Sequence, residues 1–182
     1  MSRSTRPNGV AAASYGVVPS DIGPLFVAVV GGQLLSMKFA VDDAHAAEAA
    51  AAVERETGGA YALAHGEAAI APAASQICDY VAGRRTAFDL ETDLSWITPF
   101  RREVLLACAA IPRGRVATYA ELARRVGRPA AFRAVGNTMR TNPVPIVIPC
   151  HRVIGSDGSL TGFGGGLDVK RRLLELEGAL FG

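Results

Sequence analysis

The 182-residue chain is 49% hydrophobic and 20% charged, the balance of a globular protein and not of a disordered one. Its longest uncharged candidate for a membrane span, residues 22–37, is interrupted by Pro24, Gly31 and Gly32 and falls short of the ~20 residues required. The net charge of +2 conceals a split: residues 1–96 hold 6 Lys/Arg against 11 Asp/Glu, and residues 97–182 hold 13 against 6. A basic half on a near-neutral chain is the footprint of a polyanion-binding module. Cys78, Cys108 and Cys150 form no CxxC pair, which argues against a disulfide framework and for a reducing compartment, so a cytoplasmic location is expected. No Cys or His falls at zinc-finger spacing, and neither a metal nor a cofactor is expected.

Residues 1–22 read as a flexible N-terminal tail, followed by a small α+β domain over 23–93 and a mainly helical domain over 94–182. The stretch "LFVAVVGGQLLSMKFA" predicts an antiparallel hairpin over 25–40 turning at Gly31-Gly32. Ala- and Glu-rich residues 42–56 predict a helix closed by Gly58-Gly59, and 73–82 predict a second helix stopped by Gly83. "TAFDL", residues 86–90, reads as a short strand. His45 and His65 stand among alanines and read as ordinary surface or part-buried residues, and Cys78 reads as packing.

From Thr98-Pro99 the character changes. A threonine N-cap and a proline at the first helical position start a helix whose apolar stripe runs through Val104, Cys108 and Ile111 to Pro112. Thr118-x-x-Glu121 is a capping box for a second helix that Gly127 closes. Pro129 opens a third helix to about Arg140, and two short helices separated by a tight turn predict a helix-turn-helix. On this last helix Phe132, Val135 and Met139 share one side while Arg133, Asn137 and Arg140 gather on another, with Ala134 and Gly136 between or beyond them. A helix is ~10–12 Å across and the minor groove only ~6 Å wide. Small residues beside two arginines suit that groove.

Residues 144–148 read as a buried extended segment that delivers Cys150. Thiol nucleophiles need a raised thiolate fraction, and His151 and Arg152 offer a base and a positive charge. A Cys-His dipeptide is weak evidence by itself. The final helix, 168–177, adds to it: Lys170, Arg171 and Arg172 lie in its first turn and Glu175 and Glu177 in its last, the reverse of what the helix dipole favours. One of these acids is a candidate to orient the histidine.

"PCHRVIGSDGSLTGFGGG", preceded by "RAVGNTMRTNP" and followed by "KRRLLELEG", closely resembles the 6-O-alkylguanine-DNA alkyltransferase family over residues 98–178. "GPLFVAVVGGQLLSMKF" is similar to the family's opening hairpin. The resemblance implies direct reversal of damage in double-stranded DNA by irreversible, single-use transfer of an alkyl group from 6-O-alkylguanine, and less readily 4-O-alkylthymine, to Cys150. It implies that His151 acts as base through a water, that Glu177 holds the imidazole, and that Asn142 braces the turn before the cysteine. Tyr119, Arg133, Ala134, Gly136, Asn137 and Arg140 would contact DNA. Arg133 would fill the stack vacated by the flipped base, and Tyr119 would press on its phosphate. Tyr119, Val153, Phe163, Gly164 and Gly165 would line the alkylguanine pocket. A protein that is monomeric in solution is expected, with no membrane partner, and the sequence leaves cooperativity on DNA open.

Several positions depart from the family's commoner pattern: Phe163 for tyrosine, Gly164 for serine, Arg101 for glutamine, and Phe132 for a smaller residue. The competing readings are a non-catalytic alkyl-lesion binder, which would lack the reactive cysteine, and a helix-turn-helix regulator, which would need a further domain. A multiple-turnover thiol hydrolase leaves the basic helix unexplained.

Overall fold

The computed structural model describes residues 9–179, which divide into two compact units, 9–97 and 98–179. In the first, strands β1 (Ala11–Val18), β2 (Leu25–Val30), β3 (Gln33–Phe39) and β4 (Tyr61–His65) form one sheet in the order β3-β2-β1-β4. The β2–β3 hairpin is antiparallel and turns through Gly31 and Gly32, both at positive φ as the tight turn demands. Two helices accompany the sheet, α1 (Ala46–Glu56) and α2 (Glu67–Val81).

The expected tail is overturned where it is described. β1 is an inner strand, paired antiparallel with β2 and parallel with β4, and residues 1–8 lie outside the described residues. Its Ala, Ser and Gly content hides the period-2 alternation that marks a strand, yet that smallness serves packing. A Cβ placed on Gly16 would lie 2.6 Å from Cδ1 of Ile70 on α2, so the absent side chain leaves the space that the Ile70 tip fills. β4, which carries little sequence signal, was not anticipated. Residues 86–90 form no strand: the Gln76 side chain takes both backbone groups of Asp89, so this stretch is tied to a side chain instead of a ladder. An isolated bridge at Thr92 to Leu34 follows it. α2 starts at Glu67, six residues earlier than residue 73, with Pro72 inside its first turns. Phe26, Ala28, Leu35, Ala50, Val53 and Tyr61 make the buried centre of this unit. His45 proves to have an acidic neighbour, since its Nδ1 lies 2.6 Å from Asp42 at the exposed start of α1.

The second unit is helical. α3 (Pro99–Ala109) begins after Thr98, whose side chain makes no capping bond. α4 (Tyr119–Arg125) carries the complete Thr118–Glu121 capping box. A 3-10 turn over Pro129–Ala131 follows, so α5 (Phe132–Arg140) starts three residues later than the proline signal placed it. α3, α4 and α5 pack on one another. Arg101 donates to the Thr141 carbonyl and hydroxyl at 3.0 and 3.1 Å, so the departure from glutamine ties α3 to the carboxyl end of α5. The strands β5 (Ala117–Thr118) and β6 (Val153–Ile154) pair in parallel, and α6 (Gly166–Leu176) closes the unit, with Glu177 as its C-cap.

Candidate active site

Residues 144–148 are buried as expected, apart from the half-buried Val147, but they are not extended. Pro143, Pro145 and Pro149 offer no N–H to a ladder, and the chain instead coils, with the Ile148 N–H donating to the Val144 carbonyl at 2.9 Å. Ile146 sits at φ +70, a left-handed conformation that strains a β-branched residue by about 1–3 kcal/mol and persists only where the surroundings dictate it. Asn142 supplies that constraint. Its Nδ2 donates to the Ile148 carbonyl at 2.8 Å and its Oδ1 accepts from the Val144 N–H at 3.1 Å, so one side chain clasps both ends of the coil. The same amide hydrogen-bonds the Cys150 sulfur. Asn142 therefore fixes both the loop and its product, the position of the thiol.

Cys150 and His151 open a 3-10 turn, Cys150–Arg152, and all three are buried. His151 Nε2 lies 2.6 Å from Glu177 Oε1, and neither side chain is exposed. Arg152 completes the cluster, donating from Nε to Glu177 Oε2 at 2.7 Å and from Nη2 to Oε1 at 3.1 Å. The two glutamates of the last turn thus separate: Glu175 is exposed, while Glu177 binds His151 and Arg152. A carboxylate that already accepts from a guanidinium can only accept from the imidazole as well. The histidine proton therefore resides on Nε2, and Nδ1, which is buried and has no hydrogen-bond partner among the described residues, carries the lone pair. Burial pulls the His151 pKa below its ordinary value, against the opposing effect of Glu177. The ring is neutral at pH 7, the state a general base requires.

Burial pushes the Cys150 thiol up to about 11, with Asn142, Lys170 and the local backbone amides acting the other way. At rest this is a protonated thiol that needs a base at the moment of reaction. Cys108 is also buried and pushed well up, consistent with an inert core thiol.

Lys170 is the residue that sequence reasoning left without a role. α6 starts two residues earlier than expected, so Lys170 lies in its second turn; it is fully buried, and its Nζ donates to the Val153 carbonyl at 2.6 Å and the Thr161 carbonyl at 3.0 Å. Burial brings its pKa down to about 8. It staples the strand after the cysteine to the glycine-rich loop and uses one of the Val153 carbonyl's two lone pairs. The reversed charge order along α6 was its one trace in the sequence. Tyr119 turns its hydroxyl to Thr161 Oγ1 at 2.7 Å, and burial keeps that hydroxyl protonated. Phe163 stands edge-on to His151 with ring centroids 6.3 Å apart, and Gly164 and Gly165 form the turn leading into α6.

On α5, Arg133, Ala134, Asn137 and Arg140 are exposed, and Arg140 donates to Asn137 at 2.8 Å. Gly136 lies against Tyr119: a Cβ there would be 3.8 Å from the ring. Val135 and Met139 are buried as the periodicity required, but Phe132 is 46% exposed and does not join them. Residues 98–179 thus hold a buried Cys–His–Glu cluster beside an exposed, arginine-bearing helix.

A family model described as the DNA-binding domain of 6-O-methylguanine DNA methyltransferase matches residues 99–179. The chain is similar to the crystal structure of Mycobacterium tuberculosis OGT in complex with DNA, with a TM-score of 0.75, 37% identity, and coverage of 90% of this chain and 92% of that one. The chain belongs to the 6-O-methylguanine-DNA methyltransferase family. The M. tuberculosis O6-methylguanine methyltransferase structure agrees, with a TM-score of 0.73, 38% identity, and 91% and 93% coverage. A methylated-DNA–protein-cysteine methyltransferase of Mycolicibacterium paratuberculosis is 50% identical over 109 residues, which span 60% of this chain and 66% of that relative. The methyltransferase-family match covers the whole Cys150–His151–Glu177 cluster, and the structural likeness extends over the N-terminal unit as well.

Proposed function

We propose that the protein repairs alkylated DNA directly, moving the alkyl group from O6 of guanine in a duplex to the sulfur of Cys150. The observation that carries this reading is the buried cluster in which Asn142 holds the thiol while Glu177 fixes the His151 proton on Nε2, leaving Nδ1 as base. His151 takes the thiol proton at Nδ1 through a water. The thiolate then attacks the alkyl carbon, a C–S bond forms as the C–O bond breaks, and the departing guanine recovers a proton. Burial makes the thiolate costly in the absence of substrate, so charge develops only as the alkyl carbon accepts it. A thioether offers no hydrolytic exit, so each molecule acts once.

The target atom is out of reach inside a stacked duplex, and base flipping costs ~ a few kcal/mol. α5 would enter the minor groove, with Arg133 filling the vacated stack and Asn137 and Arg140 on the sugar-phosphate backbone. The flipped guanine would rest among Tyr119, Val153, Phe163, Gly164 and Gly165. No helix among the described residues is long and apolar enough to cross a membrane. The free thiols of Cys78, Cys108 and Cys150 support a reducing compartment, the cytoplasm. The presence of Cys150 favours transfer over a lesion binder that performs no chemistry.

Intact-protein mass spectrometry after incubation with a duplex bearing one 6-O-methylguanine tests the reading. One added methyl per protein, mapped to Cys150 and absent in Cys150→Ser, is expected. A consumed lesion with unmodified protein would overturn it.

A further inference from the structure

Among the described residues three large hydrophobic side chains are exposed: Leu106 lies on α3, Leu167 on α6, and Phe132 is the one on α5, whose exposed side also carries Arg133, Asn137 and Arg140. Its fellow members of the apolar stripe, Val135 and Met139, are buried at 0% and 6% exposure. The stripe therefore leaves the core at its amino end, where nearly half of a phenylalanine stands in water. Phe132 precedes Gly136 by one turn, so the two share a side of α5, and Gly136 is the residue that meets the Tyr119 ring. Tyr119 in turn is tied to Thr161 on the glycine-rich loop. The exposed ring thus stands one turn along from the mouth of the site. Its one ring partner of note is its neighbour: the Arg133 guanidinium carbon lies 5.7 Å from the ring centroid. Arg133 stands at this amino end and Arg140 at the carboxyl end, so α5 carries an exposed positive charge at each end, a pattern that complements a polyanion.

We propose that Phe132 is an aromatic wedge that enters the minor groove beside Arg133 and stacks on a base step next to the flipped guanine. The inference rests on the repair reading above. Apolar side chains inserted between base steps unstack them and open the groove. That resolves the mismatch between a helix ~10–12 Å across and a groove ~6 Å wide. In the free protein the cation–π contact with Phe132 holds the Arg133 guanidinium at the same end of α5, so the two groups arrive together.

The test compares Phe132→Ala, Phe132→Trp and Phe132→Leu on a duplex carrying 6-O-methylguanine and on free 6-O-benzylguanine. Alanine is expected to weaken duplex binding and slow duplex repair about tenfold, in the range of one base–aromatic stack, with the free-base rate unchanged. Tryptophan restores duplex repair and leucine does not. The slope of log affinity against log salt stays as in the natural protein, because no phosphate contact is lost. Wild-type duplex affinity in the alanine variant would overturn the proposal. So would an equal loss on the free base, which would mean a structural role, or a slope reduced by about one, which would mean that Phe132 acts only through Arg133. A natural protein that alkylates with neither substrate would instead defeat the repair reading itself.

Discussion

Glu177→Gln is the sharpest probe of the cluster, because it changes hydrogen-bonding sense with almost no change of shape. Glu177 accepts from His151 Nε2 at 2.6 Å and from Arg152 at 2.7 and 3.1 Å, with neither Glu177 nor His151 exposed. An amide has one acceptor oxygen and one donor nitrogen, and Arg152 can only donate. The oxygen must therefore face Arg152 and the NH2 must face His151. That forces Nε2 to accept and moves the histidine proton to Nδ1, the atom that should carry the lone pair. A general base is worth about 10²–10⁴-fold, and single-turnover methyl transfer should fall by that factor on duplex and free-base substrates alike. Removing one partner of a buried ion pair also costs about 3–5 kcal/mol, which denaturant unfolding would register. The assay is quenched-flow transfer of labelled methyl, performed on protein whose folding has been checked by circular dichroism. A folded variant within about threefold of the natural rate would refute the tautomer argument. Cluster geometry also sets the acid limb. Burial lowers the His151 pKa, so the rate should be flat through neutral pH and fall only below the ordinary histidine range. The unfolded imidazole binds its proton near 6.5 and the folded one only lower. The unfolded state thus holds more protons in that window, and stability should drop as pH falls through it.

Other substitutions separate chemistry from DNA handling. Arg133→Ala should slow repair of duplex DNA by at least tenfold while leaving reaction with free 6-O-benzylguanine intact; equal losses on both would remove its flipping role. Lys170→Met should do the opposite, cutting both reactions together, because the lost staple between the Val153 and Thr161 carbonyls lies in the pocket and not on the DNA face. Lys170 also predicts alkaline behaviour. Its folded pKa of about 8 against 10.5 means that the unfolded state holds more protons between those values. Stability in chemical denaturant should therefore rise with pH across that window, and Lys170→Met should flatten the rise.

Local rules carried part of each unit. The Thr118–Glu121 capping box, the proline at the head of α3 and the Gly31-Gly32 hairpin each depend on residues within four positions of one another, and the structure repeats them. Even Glu177 left a trace, as a charge on the wrong end of its helix. β1 left none, because Ala, Ser and Gly look like flexibility until a helix packs on Gly16. The segment 144–148 was legible as buried but not as coiled, since its shape comes from Asn142 reaching across six residues.

The sequence by itself determined the chemistry present, a cysteine beside a histidine in a basic half with a helix of small residues and arginines. Only the tertiary structure decided what those groups do. It joined His151 to a glutamate 26 residues away, buried Lys170 against two carbonyls, and left Phe132 in water. Hydrogen-bonding sense, burial and exposure are properties of neighbours in space, and chain order does not specify them.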